Sequence, residues 1–121
     1  MVKDVLITAM RMLGLTEYAD ALYAGNAECE SELIGMYNLV VCEIAEEYRR
    51  DDYESPPVAS SADDPEAEFF GISRRVLAYG VAAEYCITHG LDEAVTWDGR
   101  YKAALSLARR RRIRVPQRRM M

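Results

Sequence analysis

Few side chains in this sequence are of the types that do chemistry, and their spacing limits what they can do. His89 is the one histidine. It stands at the C-terminal end of an apolar segment, where an imidazole interacts well with a helix dipole, and a structural role is favoured. Cys29, Cys42 and Cys86 are odd in number and widely spaced, with no C-x-x-C pair and no clustered histidine. They read as small apolar side chains packed in helices, not as a disulfide or metal site. Glu43, Glu46 and Glu47 read as a solvated face, not a catalytic pair. Glu84 differs, because it stands in an otherwise apolar segment. Its burial would require a cation, with Arg100 or Arg74 as candidates, or a watery subunit boundary; plain exposure is the other reading. No Gly-rich phosphate loop, H-E-x-x-H or G-x-S-x-G occurs. Lacking a positioned base, nucleophile or metal, the chain reads as a non-enzyme without a cofactor.

The remaining group is cationic. Arg109, Arg110, Arg111, Arg112, Arg114, Arg118 and Arg119 give residues 109–121 a charge of +7. Residues 1–108 hold eight basic residues against all 20 acids, a net −12, so the overall −5 hides an acidic body with a basic tail. Such asymmetry bears on partners, not on fold. Arginine's planar fork suits both carboxylate and phosphate surfaces. The tail is therefore either a docking segment or a solvated terminus. It lacks the interleaved aromatics of single-strand binders, and no base-reading helix stands out, so sequence-specific DNA binding is not expected.

The elements that position these groups are helical. Val5, Leu6, Ala9, Met12 and Leu13 recur at three- and four-residue steps, predicting a helix over 3–13 that Gly14 ends. Thr16 can cap a short helix, Glu17–Ala24, which Gly25 ends. Asn26 is a plausible N-cap for the longest helix, whose stripe is Leu33, Met36, Tyr37, Val40, Ile44 and Tyr48. Residues 51–72, rich in Pro, Ser and Asp, predict a flexible loop with a short extended piece at Glu68–Phe70. Ser73 then caps a helix over Arg74–His89 that carries no charge between Val76 and Ala83. A helix apolar all round must be covered on all sides, and in so small a chain a neighbouring subunit is expected to supply part of the cover. Asp92 can cap the last helix, Glu93–Arg111, with Trp97 as its anchor against the two longer helices. Pro116 predicts an extended tail over 113–121.

With 121 residues, half of them hydrophobic, the chain is one domain with a single modest core. No apolar run approaches the roughly 20 residues of a membrane span. Asp4 and Arg11 interrupt any signal-peptide layout at the start, so a cytosolic protein is expected. The fold class is all-α: a bundle of about four helices spanning 1–112, with the 51–72 loop inside it and an extended basic tail at 113–121. Ile44, Trp97 and Tyr101 are the expected core anchors.

Two blocks carry a family resemblance. Asn38-Leu-Val-Val-Cys-Glu-Ile-Ala-Glu-Glu-Tyr48 and Ile72-Ser-Arg-Arg-Val-Leu-Ala-Tyr-Gly-Val-Ala-Ala-Glu-Tyr-Cys86 resemble head–tail connector (adaptor) proteins of tailed bacteriophages. The likeness continues through Gly90-Leu-Asp-Glu-Ala-Val-Thr-Trp-Asp-Gly-Arg-Tyr-Lys102 and the basic tail, covering residues 33–121. It implies a helical subunit of a homo-oligomeric ring, commonly of twelve copies, beneath the portal protein at the head vertex. Such a ring extends the DNA channel and offers a platform to the stopper or tail completion protein. Its place is the virion's head–tail interface, with the host cytoplasm as the site of assembly. On this analogy residues 109–119 dock on the portal, and Val76, Tyr79, Gly80, Ala83 and Tyr85 pack between subunits. Members of that family carry a β-rich insertion where this chain has only residues 51–72. The other reading is a small nucleic-acid-associated or regulatory helical protein whose tail binds phosphates.

Overall fold

The computed structural model describes residues 1–47, 57–69 and 71–119, and for 111–119 the backbone alone. Among these residues the chain forms five α-helices, one in the place of each helical segment read from the sequence, and no strand. In α1, Val2–Met12, the residues Val2, Val5, Leu6, Ala9 and Met10 lie at helical spacing and are all buried. Gly14 turns the chain with φ of +75°, a region that suits glycine. The second helix, α2, spans Thr16–Tyr23. Leu15, not Thr16, occupies its N-cap, so the expected threonine cap is replaced by a residue without a capping side chain. Asn26 does cap α3, Ala27–Glu47: its Oδ1 accepts the Cys29 N–H at 3.1 Å. The α3 stripe of Leu33, Met36, Tyr37, Val40 and Ile44 is buried as its period requires, while Tyr48 lies outside the described residues.

α4, Arg74–Thr88, is the hub: α1, α3 and α5 all pack on it. Ser73 takes the N-cap position with extended backbone but makes no side-chain capping bond; its carbonyl accepts the Val76 and Leu77 N–H groups instead. From Val76 to Ala83 every residue except Tyr79 is buried, and the burial comes from this chain alone. The expectation that a second subunit covers this helix is corrected. Three helices from one chain suffice because small residues let them come close. A Cβ added to Gly80 would sit 2.7 Å and 2.9 Å from the two Val40 methyls and 3.0 Å from the Tyr101 ring. Mid-helix glycine costs about 1 kcal/mol, which this close packing of α3 and α5 against α4 offsets.

α5 runs from Ala94 to Arg119. It lies antiparallel to α4, with Trp97 beside Tyr79, Tyr101 over Gly80, and Ala108 at Gly71. Residues 113–119 were expected to be extended; they continue the helix instead, through Pro116. Proline removes one i→i−4 bond, but a helix already nucleated and packed over its first four turns extends readily into arginine-rich sequence. The helix thus passes Gly71, just before α4, and continues over residues 109–119.

Residues 57–69, expected within a flexible loop, are tied down. The Asn38 side chain brackets Ala59, donating to its carbonyl at 2.9 Å and accepting its N–H at 2.8 Å. The buried Tyr37 hydroxyl accepts the Ala67 N–H at 2.7 Å. Asp64 Oδ2 accepts the Ser60 and Ser61 N–H groups at 2.8 Å and 3.0 Å. The same segment satisfies α1's first turn, since Asp64 and Ala62 carbonyls accept the Val2 and Lys3 N–H groups. Ala59, Ala62, Ala67 and Phe69 are buried under it. The extended piece expected near Glu68 is one antiparallel bridge between Phe69 and Ile72. Small apolar residues at intervals, not proline and serine content, decided its fate.

Candidate functional site

Two polar clusters stand out, each assembled from several helices. The first joins α2, α3 and the end of α4. His89, the C-cap residue of α4, places Nε2 2.8 Å from Glu32 Oε1. The Tyr18 hydroxyl donates to Glu32 Oε2 at 2.8 Å. The Tyr85 ring lies 4.2 Å from the His89 ring and meets Tyr18 edge-on at 5.9 Å. Hydrogen bonds from Tyr18 and His89 hold the Glu32 carboxyl below the usual carboxylate range. Burial, then Glu32, pushes the Tyr18 hydroxyl up. The cluster is a clamp. The Cys29 thiol borders it beside Tyr18 and Tyr85.

The second cluster lies where α3, α4 and α5 meet. Tyr101 is 4% exposed, and its hydroxyl is buried without a hydrogen-bond partner. Burial, and then the Glu43 carboxylate beside it with Glu47 and Glu84, pushes the hydroxyl up. Glu84 is half-buried on α4 and forms no ion pair among the described residues. Neither cation expected for it is there: Arg74 pairs with Glu66 at 2.9 Å, and Arg100 stacks 4.7 Å over the Trp97 ring. Its charged neighbours are Glu43 and Asp98, so burial and then like charge push its carboxyl up. Beside this spot a groove between α3 and α5 is lined by Glu43, Glu47, Lys102, Leu105, Ser106 and Arg109. Lys102 bonds Asp98 at 3.0 Å, the i,i+4 pair visible in the sequence, and Arg109 reaches Glu47 at 3.7 Å.

The remaining sequence-predicted residues fall into place around these clusters. Val76, Gly80 and Ala83 are inside the monomer's core, so they cannot be subunit contacts; Tyr79 and Tyr85 are half-buried against α5 and the clamp. Ile44 and Tyr101 are core anchors, while Trp97 is half-buried at the edge of the core against Tyr79. Cys86 is buried and Cys29 half-buried, but Cys42 is exposed on α3, contrary to the packed role expected of all three. Arg109 and Arg110 are exposed; Arg111, Arg112, Arg114, Arg118 and Arg119 lie along the last turns of α5, their side chains outside the described set. Sequence reasoning missed Glu32, because its partner His89 is 57 residues away and no local spacing connects them. It treated Glu43 and Glu84 separately, although both border Tyr101.

Among the described residues, no group of three or more His, Cys, Asp and Glu side chains could hold a metal ion. No helix there is long and apolar enough to cross a membrane. No family model, curated protein or solved structure matches the chain.

Proposed function

We propose that this chain is a non-enzymatic structural subunit of the head–tail connector (adaptor) ring of a tailed phage. In this reading it sits beneath the portal, extends the DNA channel and receives the stopper or tail on its far side. The supporting observation is the separation of charge along one continuous helix: α5 is anchored by Tyr101, Leu105 and Ala108 and then carries seven arginines past the start of α4. A helix delivered in this way suits insertion into an acidic groove, where bidentate arginine contacts give strength and orientation. The net −12 of residues 1–108 suits a channel wall, because like charge does not grip passing phosphate. Likeness of the Asn38–Tyr48 and Ile72–Cys86 blocks to connector proteins supports the particular assembly. The apolar character of α4 lends it no support, since that helix is covered from within.

The test is capture by the portal protein of the same genome. Native mass spectrometry should find several copies of this chain per portal ring, and a chain ending at Ala108 should be lost from it. Equal binding by the shortened chain would reject the docking role. Retention on duplex DNA at low salt, collapsing at moderate salt, would favour a phosphate-binding protein instead.

A further inference from the structure

We propose that the exposed outer face of α3 receives the exposed outer face of α5 from a second copy of this chain, joining copies head to tail; this deepens the ring reading and rests on it. On α3, Glu32, Gly35, Leu39 and Cys42 recur at steps of three, four and three residues, and all four are exposed. On α5, Arg100, Ala103, Leu107 and Arg110 recur at the same steps and are exposed too. Alternation of three and four is the spacing along which two helices interlock their side chains. Leu39 is 61% and Leu107 49% exposed, each in the middle of its seam. Exposed leucines are ordinary singly, but these two stand on matching seams of opposite charge. Nothing in its own chain accounts for Gly35: glycine is unfavourable within a helix, and a Cβ there would meet nothing within 4 Å. Gly80, by contrast, is explained by Val40 and Tyr101.

Charge selects the occupant. The whole of α3 contains no Lys or Arg, and α5 contains no acid after Asp98. Lys102 and Arg109 are engaged by Asp98 and Glu47, but Arg100 and Arg110 form no ion pair among the described residues, nor do Glu28 and Glu46. Stacking over Trp97 fixes the Arg100 guanidinium and leaves its in-plane N–H groups free to donate. One chain cannot close these seams on itself, because α3 and α5 turn other sides to each other, Glu43 and Glu47 against Lys102, Leu105 and Arg109. Within the body the two helices run parallel: Val40 and Tyr101 meet over Gly80, and Glu47 and Arg109 meet further along both. Rotation about a ring axis along the bundle keeps that direction from copy to copy, so the seams pair in parallel. Leu39 then lies against Leu107, Gly35 against Ala103 and Cys42 against Arg110. In that register Arg100 falls between Glu28 and Glu32, the latter already held by Tyr18 and His89, and Arg110 is one turn from Glu46.

Disulfide trapping on the full-length chain tests the register. Arg110→Cys sets a thiol opposite the exposed Cys42, and mild oxidation should give a ladder of covalent dimers, trimers and larger species. Adding Cys42→Ser should abolish every species above the dimer. Sedimentation velocity reads the strength: Leu39→Asp should weaken association about tenfold or more, because it buries an unpaired charge at the centre of the contact. Leu39 is exposed in the monomer, so the thermal melt of that variant should not fall. Glu46→Arg should also weaken association, and Arg110→Glu in the same chain should restore it. A chain monomeric at every concentration, a ladder that survives Cys42→Ser, or Leu39→Asp associating at the unaltered strength overturns the proposal. Portal capture separates the two failures: full capture of Leu39→Asp leaves the connector reading standing and removes this pairing, while a ladder from a chain that no portal captures keeps the pairing and rejects the connector reading.

Discussion

Helices α4 and α5 are neighbours in sequence and lie antiparallel, yet they meet opposite fates. α4 is apolar around its circumference and ends up enclosed by α1, α3 and α5 of its own chain. α5 is amphipathic for four turns, packs over those turns, and then continues as an arginine-bearing helix past the edge of the body. The contrast shows where a partner should be sought. An all-apolar helix in a small chain invites the inference of a partner, but small residues such as Ala78, Gly80, Ala82 and Ala83 let three helices close over it instead. What the body leaves uncompensated is Glu84, whose charged neighbours are Glu43 and Asp98.

The sharpest way to break this comparison is to cut into α4. Leu77 is 1% exposed, and Leu77→Ala should cost about 2–5 kcal/mol, the usual range for a buried leucine truncated to alanine. Chemical denaturation at several protein concentrations reads it. If the cover is intramolecular, the loss is the same at every concentration; a loss that fades on concentrating the protein would return α4 to a subunit interface. Gly80→Ala comes next, at about 1–3 kcal/mol, because the new methyl meets the stiff, branched Val40 at under 3 Å. Val40→Ala in the same chain should recover part of that loss, a coupling that a double-mutant cycle measures.

Much of the architecture was legible in the residues. The α3 stripe, the Asn26 cap and the glycine stops need only local spacing and capping chemistry, and all three are present. What local reading could not supply was anything that depends on which elements meet. Thr16 has a capping side chain, yet the chain enters α2 at Leu15. Pro116 signals a helix end, yet the packed turns before it carry the helix on. Residues 57–69 have a loop's composition, but Ala59, Ala62 and Ala67 find Tyr37, Asn38 and α1 across the fold, at separations no periodicity encodes. The Glu43–Glu84–Tyr101 junction was invisible for the same reason.

The 57–69 segment gives the next smaller effect and sharpens the contrast between fixed and free chain. Tyr37→Phe keeps the ring in the core but leaves the Ala67 N–H without its acceptor, for a loss of about 1–3 kcal/mol by denaturation. If residues 57–69 were loose on the body, the substitution would be nearly silent.

Titration then separates the satisfied carboxylates from the unsatisfied one. The Arg74 guanidinium holds Glu66 below the usual carboxylate range, and Tyr18 and His89 do the same for Glu32. Groups with depressed folded-state pKa stabilise above their ordinary titration range, and that contribution is lost as pH falls through the folded value. Glu84 has the opposite sign: raised by burial and by Glu43, it weakens the fold as pH rises through its folded value. Glu84→Gln should therefore raise the Tm at neutral pH, with the gain vanishing below the carboxylate range, while Glu66→Gln lowers the Tm at neutral pH and converges with the unaltered chain in acid. Paired thermal melts at the two pH values read both signs. Parallel behaviour of the two variants would show that Glu84 has a cation within its own chain after all.

The smallest effect is expected where the sequence looks most conspicuous. Arg109→Ala removes one ion pair whose partners are each about half exposed, and such surface pairs are worth about 0–1 kcal/mol. Arg110→Ala, exposed on the same turn, should stay within about 0.5 kcal/mol of the unaltered chain. Near silence in folding is what makes these arginines informative. Residues that contribute little to the monomer can be lost without penalty unless something outside it binds them, so a stability-neutral change that weakens self-association or portal capture isolates a binding role that α4 substitutions cannot. Should Arg109→Ala and Arg110→Ala instead lower the Tm as far as Gly80→Ala does, the end of α5 would belong to the body's own packing, and the division between an enclosed helix and a projecting one would not hold.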